Sequence, residues 1–431
     1  MEVKGTSINK TERIDVYQNN EFPLKYRKFL RVVSESSELL NSTTEFKVPA
    51  INLEGDEYAL LQNEKIMGVI ESTVIEWRYK MQEIIEELRS RSTQGEGPLA
   101  EIEYWRDRTA SLSRLVEQVA QPQIKRVLYL YALKERIPPN SVFEMLHRCY
   151  FEATDNTKLL ALVERYFKII TYGTNLDDII ESLCPLMQAL QMIWIISPYF
   201  NKEDRMTVIF ERIAWCLCDR ISKMLTPQEL FNLPLEKMIV QIKSGRRLLE
   251  SWKSTYMARR ADIEASGREY RWEFDKKRLF AKSDYMIGVC NDMEDVVNIV
   301  KEYKTMFGPE IKSMFSNQKH FDLLTENVMG LLKPFKSLQF DPFLIENKST
   351  WLNQMTQFRM EVMALDTDAK SCLEDSFRTL HSSSKAFRVL QRLLENHPRK
   401  EIAQLFEERY TDILDRYDKE LRLIETTFTE G

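Results

Sequence analysis

Apolar residues recur along this chain at intervals of three and four, the spacing of helices buried along one side. From about residue 59, Ile66, Ile70, Val74, Trp77, Met81, Ile84 and Leu88 step along one face. Gly95-Glu-Gly-Pro98 breaks the run, because glycine and proline punctuate helices. EIEYWRDRTASLSRL (101–115) then predicts a helix with Ile102, Trp105, Leu112, Leu115 and Val119 on its stripe. Pro122 ends or kinks that helix, QIKRVLYLYALKER continues as another, and Pro138-Pro139 is the next stop. Further helices are predicted in SVFEMLHRCYF, in TKLLALVERYFKIITY and over 203–225. Thr174-Asn-Leu-Asp177 offers a hydroxyl cap with first-turn carboxylates. Thr226-Pro227-Gln-Glu229 reads as a capping box with proline at the first helical position.

The span from 227 to about 265 holds one long helix or two, because Pro234 interrupts early. Phe307-Gly308-Pro309 and Phe340-Asp-Pro342-Phe343 read as corners. Residues 351–365, 368–395 and the last 30 are again helical in pattern. Residues 1–58 show weak periodicity and read as mostly irregular. No run alternates cleanly at period two, and no fixed-length repeat marks a regular solenoid. The expected fold is all-α, an elongated series of packed helical bundles with no nucleotide-binding domain. Its expected divisions are 1–58, 59–225 and 226–431.

SLCPLMQALQMIWIISPYFN (182–201) carries no charge over 20 positions, which is long enough to cross a bilayer. Pro185, Pro198, Gln188, Gln191 and Asn201 argue against a span. A helix apolar on all sides is usually the buried middle of a helical pack, and that is the expectation here.

Composition narrows the picture. The 431 residues carry a net charge of −5 with 29% charged residues, too mild a balance for wholesale nucleic-acid binding. The six cysteines, Cys149, Cys184, Cys216, Cys218, Cys290 and Cys372, show no framework spacing. Free buried thiols in a reducing compartment are expected. The N-terminal MEVKGTSINKTERIDV has no apolar core, so no secretory signal is expected.

Reaction chemistry is not visible. There is no GxxxxGK[ST], and the single GxG, Gly95-Glu-Gly97, lies between helices and reads as a linker. The four histidines are scattered. His147 and Cys149, like Cys216 and Cys218, sit two apart, a spacing that points side chains to nearly opposite sides of a helix. No catalytic residue, cofactor or metal is expected.

Charge is uneven in one place. Twelve Lys/Arg face six acids between Lys243 and Lys282, with Trp252, Tyr256, Tyr270 and Trp272 among them. Three readings stand: a solvated face whose long bases lie over apolar surface, a docking face for an acidic protein partner, or a nucleic-acid contact, for which aromatic interleaving alone is weak evidence.

GREYRWEFDKKRLF (267–280) followed by SDYM resembles a segment of the tail of axonemal dynein heavy chains. EIEYWRDRTASLSRLVEQV, PLMQALQMIWIISPYFNKEDRM with LTPQEL, and FDPF at 340–343 resemble further segments of it, in the same order. The likeness runs from about residue 65 to the last 30 residues. It implies a non-catalytic scaffold in the cytoplasm, cytoskeleton and ciliary axoneme. Implied partners are dynein intermediate chains, light chains, light-intermediate chains and a second heavy chain, with no nucleic acid and no membrane. The family's ATPase ring lies far downstream, so the chain reads as a fragment, a partial gene product or a truncated paralogue. The first 60 residues depart from the family pattern, which argues against self-pairing. A helical tethering or membrane-trafficking adaptor is the alternative.

Trp105 and Trp272 are expected in the core. Tyr104, Arg106 and Arg108 read as lying off the apolar stripe, as candidate contacts with a neighbouring subunit. Arg271, Lys276 and Lys277 are expected to be exposed. Arg246, Arg247, Arg259 and Arg260 complete the candidate docking set, and reversing these four to Glu is expected to weaken partner assembly without unfolding the chain.

Overall fold

The computed structural model describes residues 26–31, 46–267, 272–315, 318–395 and 399–430. Most of the segment expected to be irregular, 1–25 and 32–45, lies outside the described residues, as does Arg271. Among the described residues there is no strand, and the fold is all-α. The chain divides into two units, Met1–Ser92 with Arg106–Thr154, and Thr93–Trp105 with Asp155–Gly431. Position 226 lies inside the second unit.

The first unit is built on α1 (Glu57–Gln62), α2 (Glu64–Ser90), the larger part of α3 (Leu99–Val119), α4 (Pro122–Glu135) and the start of α5 (Glu144–Ala161). Asn63 caps α2 by accepting from the backbone N–H groups of Lys65 and Ile66, which satisfies orphan donors of the first turn. The buried stripe of α2 is Met67, Ile70, Val74, Trp77, Met81, Ile85 and Leu88. Ile66 and Ile84 were expected on it and are only half-buried. Their neighbours replace them because a 3.6-residue turn drifts against a strict three-four count. Phe46 packs on Trp77 at 5.6 Å and stacks on Phe143 at 6.2 Å. The Trp77 indole N–H donates to the Lys47 carbonyl at 3.2 Å.

In the second unit α5 ends at Ala161, and α6 (Glu164–Tyr172), α7 (Leu176–Ile196) and α8 (Glu203–Met224) follow. The segment TKLLALVERYFKIITY is thus split between α5 and α6. The cap of α7 is Asn175, not Thr174: its side chain accepts from the Asp177 N–H at 3.1 Å. The expected capping box at Thr226 does not form. Its hydroxyl turns back to the Lys223 carbonyl at 3.0 Å, and only the four-residue α9 (Pro227–Leu230) follows.

Two 31-residue helices come next, α10 (Leu235–Ala265) and α11 (Lys276–Met306). They run antiparallel, since Lys301 pairs with Glu236, Arg246 with Glu294 and Lys253 with Asp284. Helix α10 runs parallel to α7, because Arg247 meets Asp177 and Arg259 meets Gln191. It crosses α8 in the opposite sense: Phe210 lies near Tyr256 and Trp252, and Gly245 near Ile221, Met224 and Leu225. Burial is therefore spread over several sides of α10, from Met238 to Ile263.

The remaining helices are α12 (Pro309–Met314), α13 (Gln318–Gly330), α14 (Lys333–Lys336), α15 (Lys348–Arg378), α16 (Ser383–Glu395) and α17 (Lys400–Glu430). Helix α15 continues through 366–367, where a break was expected, and the chain turns at 379–382 instead. The FDPF corner forms as expected. Asp341 accepts from the Phe343 N–H at 2.9 Å and from the Ser222 hydroxyl at 2.8 Å, while the Tyr285 hydroxyl donates to the Pro342 carbonyl at 2.8 Å.

At Gly245 helix α10 comes close to the end of α8. A Cβ there would sit 3.1 Å from Met224 Cε and 3.2 Å from Leu225 Cδ1. Gly245→Leu is expected to overpack this contact and lower stability by about 1–3 kcal/mol, read as a lower denaturation midpoint with an unchanged slope. An unchanged midpoint would mean that the two helices are not tightly packed there.

Candidate interaction surfaces

The helix start EIEYW is built around Trp105, which is 1% exposed. Its indole N–H donates to Glu101 Oε1 at 3.0 Å, and its ring meets Tyr199 edge-on at 4.7 Å. Arg212 reaches the same place. It donates to the Gly95 carbonyl at 2.7 Å and to Thr93, and lies 3.8 Å from Glu101. Gly95-Glu-Gly97, read as a plain linker, is thus tied down by an arginine more than a hundred positions away. Burial pushes the Glu101 carboxyl above the ordinary range, against the indole donor and the Arg212 and Arg205 charges that favour ionisation.

The three candidates on this helix separate. Arg106 is exposed and Tyr104 half-buried. Arg108 is 8% exposed, with its guanidinium donating to the Leu88 carbonyl at 3.3 Å. It does not lie off the stripe. Position 108 falls three after Trp105 and four before Leu112, so it occupies the stripe itself, where an arginine is tolerated because it finds a carbonyl.

The basic stretch is largely consumed by its own neighbours. Arg246 reaches Glu294 and Asn291, the latter at 2.9 Å, and Lys243 lies 3.5 Å from the same Glu294. Arg247 meets Asp177 at 3.2 Å. Arg259 donates to Gln191 at 2.6 Å, and Arg260 to Glu264 and Glu273 at 2.7 and 3.0 Å. Arg278 is paired with Glu211. Reversal of the four arginines is therefore no clean probe of docking, because Glu at position 246 would oppose the buried Glu294. Lys276 and Lys277 are exposed, as expected, and Arg247 is exposed too.

The aromatic residues of the stretch are core. Trp272 and Phe274 lie 5.6 and 5.1 Å from Phe210, and Phe274 lies 5.1 Å from Trp194. The Phe274 N–H donates to the Tyr256 hydroxyl at 3.3 Å. Trp272 and Phe274 thus anchor the start of α11 among α7, α8 and α10.

Helix α7 departs from the expectation of full burial. Leu183, Leu186, Met187 and Leu190 are sealed, yet Met192 is 52% and Ile196 57% exposed, with Cys184 and Gln188 on the open side. It is the one described helix long and apolar enough to cross a membrane by length and composition. Cys184 is the exposed thiol among the six; the other five are buried. Burial pushes the Cys290 thiol up to about 12 and Cys372 up to about 11. Among the described residues no group of His, Cys, Asp or Glu is placed to hold a metal.

Residues 67–431 match the family described as dynein heavy chain, N-terminal region 1. The chain belongs to the dynein heavy chain family. It is 37% identical over 349 residues to human dynein axonemal heavy chain 10, covering 80% of this chain and 8% of that protein. It is 32% identical over 400 residues to the dynein-1-alpha heavy chain of the Chlamydomonas reinhardtii flagellar inner arm I1 complex, covering 91% and 9%. Against the beta chain of the flagellar outer arm of the same alga, identity is 21% over 393 residues, covering 88% and 8%. The chain thus spans less than a tenth of the length of these curated relatives. The region matched is the N-terminal tail of the heavy chain and not its motor.

On this dynein tail segment, the motifs that carry the resemblance are structural: RWEFD builds an aromatic core, FDPF a hydrogen-bonded corner, and EIEYW a buried indole–carboxylate pair. Sequence reading passed over the open side of α7 and the outer face of α17. Their apolar spacing is visible in the sequence, but not which side stays uncovered.

Three outcomes are expected. A carboxyl whose pKa is higher folded than unfolded opposes folding once ionised, and that penalty vanishes below the unfolded value of about 4.3. Glu101→Gln should therefore melt higher than the parent at pH 7 and equally at pH 4. Glu101→Ala should lose about 1–3 kcal/mol, because the Trp105 indole loses its acceptor; a stability equal to the parent would show that the pair does not matter. Arg246→Glu should destabilise by about 1–3 kcal/mol and Arg247→Glu by less than about 1 kcal/mol, compared by thermal melts; equal losses would mean that burial of Glu294 plays no part. Ellman titration of the native chain should show Cys184 alone reacting fast, with the remaining five released by denaturant.

Proposed function

We propose that this chain is a non-catalytic scaffold: the part of an axonemal dynein tail that carries dynein intermediate, light and light-intermediate chains and helps fix the complex to its microtubule doublet. The observation that carries the reading is the family match over 67–431 on a chain whose described residues are packed helices throughout. The tail motifs of the sequence occupy core positions, so the segment is built to hold a shape. A ciliary or flagellar site of action follows from the axonemal and flagellar relatives. Identity is 32% to the I1 alpha heavy chain but 21% to the I1 beta heavy chain, the same as to an outer-arm beta chain, so the likeness is to one type of heavy chain and does not separate the arms. Of the candidate residues for subunit contact, Arg106, Lys276, Lys277 and Arg247 are exposed, the last while paired with Asp177, and Tyr104 is half-buried.

The tagged chain, used as bait in ciliary axoneme extract and read by mass spectrometry, is expected to recover dynein intermediate chains. The substitutions Arg106→Glu, Lys276→Glu and Lys277→Glu together should reduce recovery several-fold while circular dichroism stays that of the parent. A folded chain that recovers no dynein subunit would sink the scaffold reading.

A further inference from the structure

The segment between α2 and α3 offers one hydroxyl in charged company. Helix α2 ends at Ser90, and residues 91–94 form no regular secondary structure before the Gly95 turn. Arg91 is extended, with φ −63° and ψ 124°. The hydroxyls on either side are tied down: Ser90 donates to the Glu87 carbonyl at 2.8 Å, and Thr93 accepts from Arg212. Ser92 between them is exposed, and among the described residues nothing bonds its hydroxyl. Arginines stand three and one positions before it, Arg89 and Arg91, and both are exposed. Among the described residues an arginine also stands three before Thr109 and Ser111, but both lie inside α3 and are half-buried. Ser92 is thus the one such hydroxyl outside a helix among the described residues.

The two guanidiniums are held weakly where they are. Arg91 meets Glu87 at 2.7 Å, but both side chains are more than half exposed, and such surface pairs are worth about 0–1 kcal/mol. Arg89 rests 3.6 Å from Cys149 Sγ, and a thiol sulfur is a weak acceptor. Carboxylates in an enzyme groove would bind either fork more strongly, through paired charged hydrogen bonds. Laying Arg89 out in such a groove opens only the last turn of α2, and helix ends open at little cost. Protein kinases select substrates by charge patterns of this kind. We propose that Ser92 is a phosphorylation site for a kinase that reads arginine three residues before the acceptor. Ser92 Oγ attacks the γ-phosphorus of Mg-ATP, an O–P bond forms, and the bond to the β,γ-bridging oxygen breaks. ADP leaves, and the hydroxyl proton passes to the kinase's catalytic aspartate. The phosphoserine then carries about −1.5 to −2 charges, two residues beyond α2, where the helix dipole is itself negative. With Arg91 drawn from Glu87 to the phosphate, the last turn of α2 loosens. The inference goes beyond the scaffold reading and does not rest on it.

The folded full-length chain is incubated with Mg-ATP and the catalytic subunit of cyclic-AMP-dependent protein kinase, and the modified residues are mapped by mass spectrometry. Phosphate is expected at Ser92 and not at Thr109 or Ser111. Ser92→Ala should abolish modification of that peptide, and Arg89→Ala should slow it at least tenfold with thermal melting unchanged. A casein kinase that reads acidic residues should leave Ser92 unmodified. Amide hydrogen exchange over 87–90 should quicken at least threefold in the phosphorylated chain, compared with Ser92→Ala taken through the same reaction. No phosphate at Ser92, phosphate there only after heat unfolding, or a rate indifferent to Arg89→Ala overturns the site. Exchange that is unchanged or slower overturns the loosening of α2.

Discussion

The second unit depends on one constraint: α10 must be buried on several sides at once while carrying the densest cations in the chain. A helix packed on a single neighbour leaves half its circumference for solvated charge. Helix α10 meets α7, α8 and α11, and its apolar residues are distributed accordingly. The arginines between them emerge beside other helices, where burial without a partner would cost more than any pairing returns. Two of these neighbours supply acceptors: Asp177 and Gln191 from α7, Glu294 from α11. The same groups fix direction. The Lys301–Glu236, Arg246–Glu294 and Lys253–Asp284 pairs along α10 and α11 fit one antiparallel register.

Arginine does similar work at the helix ends. Arg212 gathers the carbonyls of the Gly95 turn, and Arg220 donates to Ile170 and Thr171, both at 3.0 Å, and to Gly173 at the end of α6. The last carbonyls of a helix have no partner within it, and a guanidinium with five donors can satisfy several at once. In unit 1, Arg108 serves the Leu88 carbonyl near the end of α2. The chain thus closes exposed ends with side chains from distant helices as well as with local caps.

These internal uses shift attention for function. An unbalanced basic stretch suggested docking, but its charges are mostly answered inside the fold. What is left open is apolar: one side of α7 and the outer face of α17.

The sequence by itself determined the all-α class, many of the helices and part of the core. Periodicity located α2, α3 and α8, and Trp105 and Trp272 are buried as expected. Local chemistry placed the breaks at Pro122, at Phe307-Gly308-Pro309 and at FDPF, since proline and glycine act within a few residues. Tertiary structure decided the rest, because the deciding partner lies far along the chain. Arg108 is buried since a carbonyl of α2 meets it, which no local pattern records. Arg246 and Arg259 are spent on Glu294 and Gln191, which only packing brings close. Thr226 failed as a cap because its hydroxyl found Lys223 instead. Whether an apolar stripe is core or surface, as on α7 and α17, is a question of what lies against it, and spacing along one helix holds no information about that.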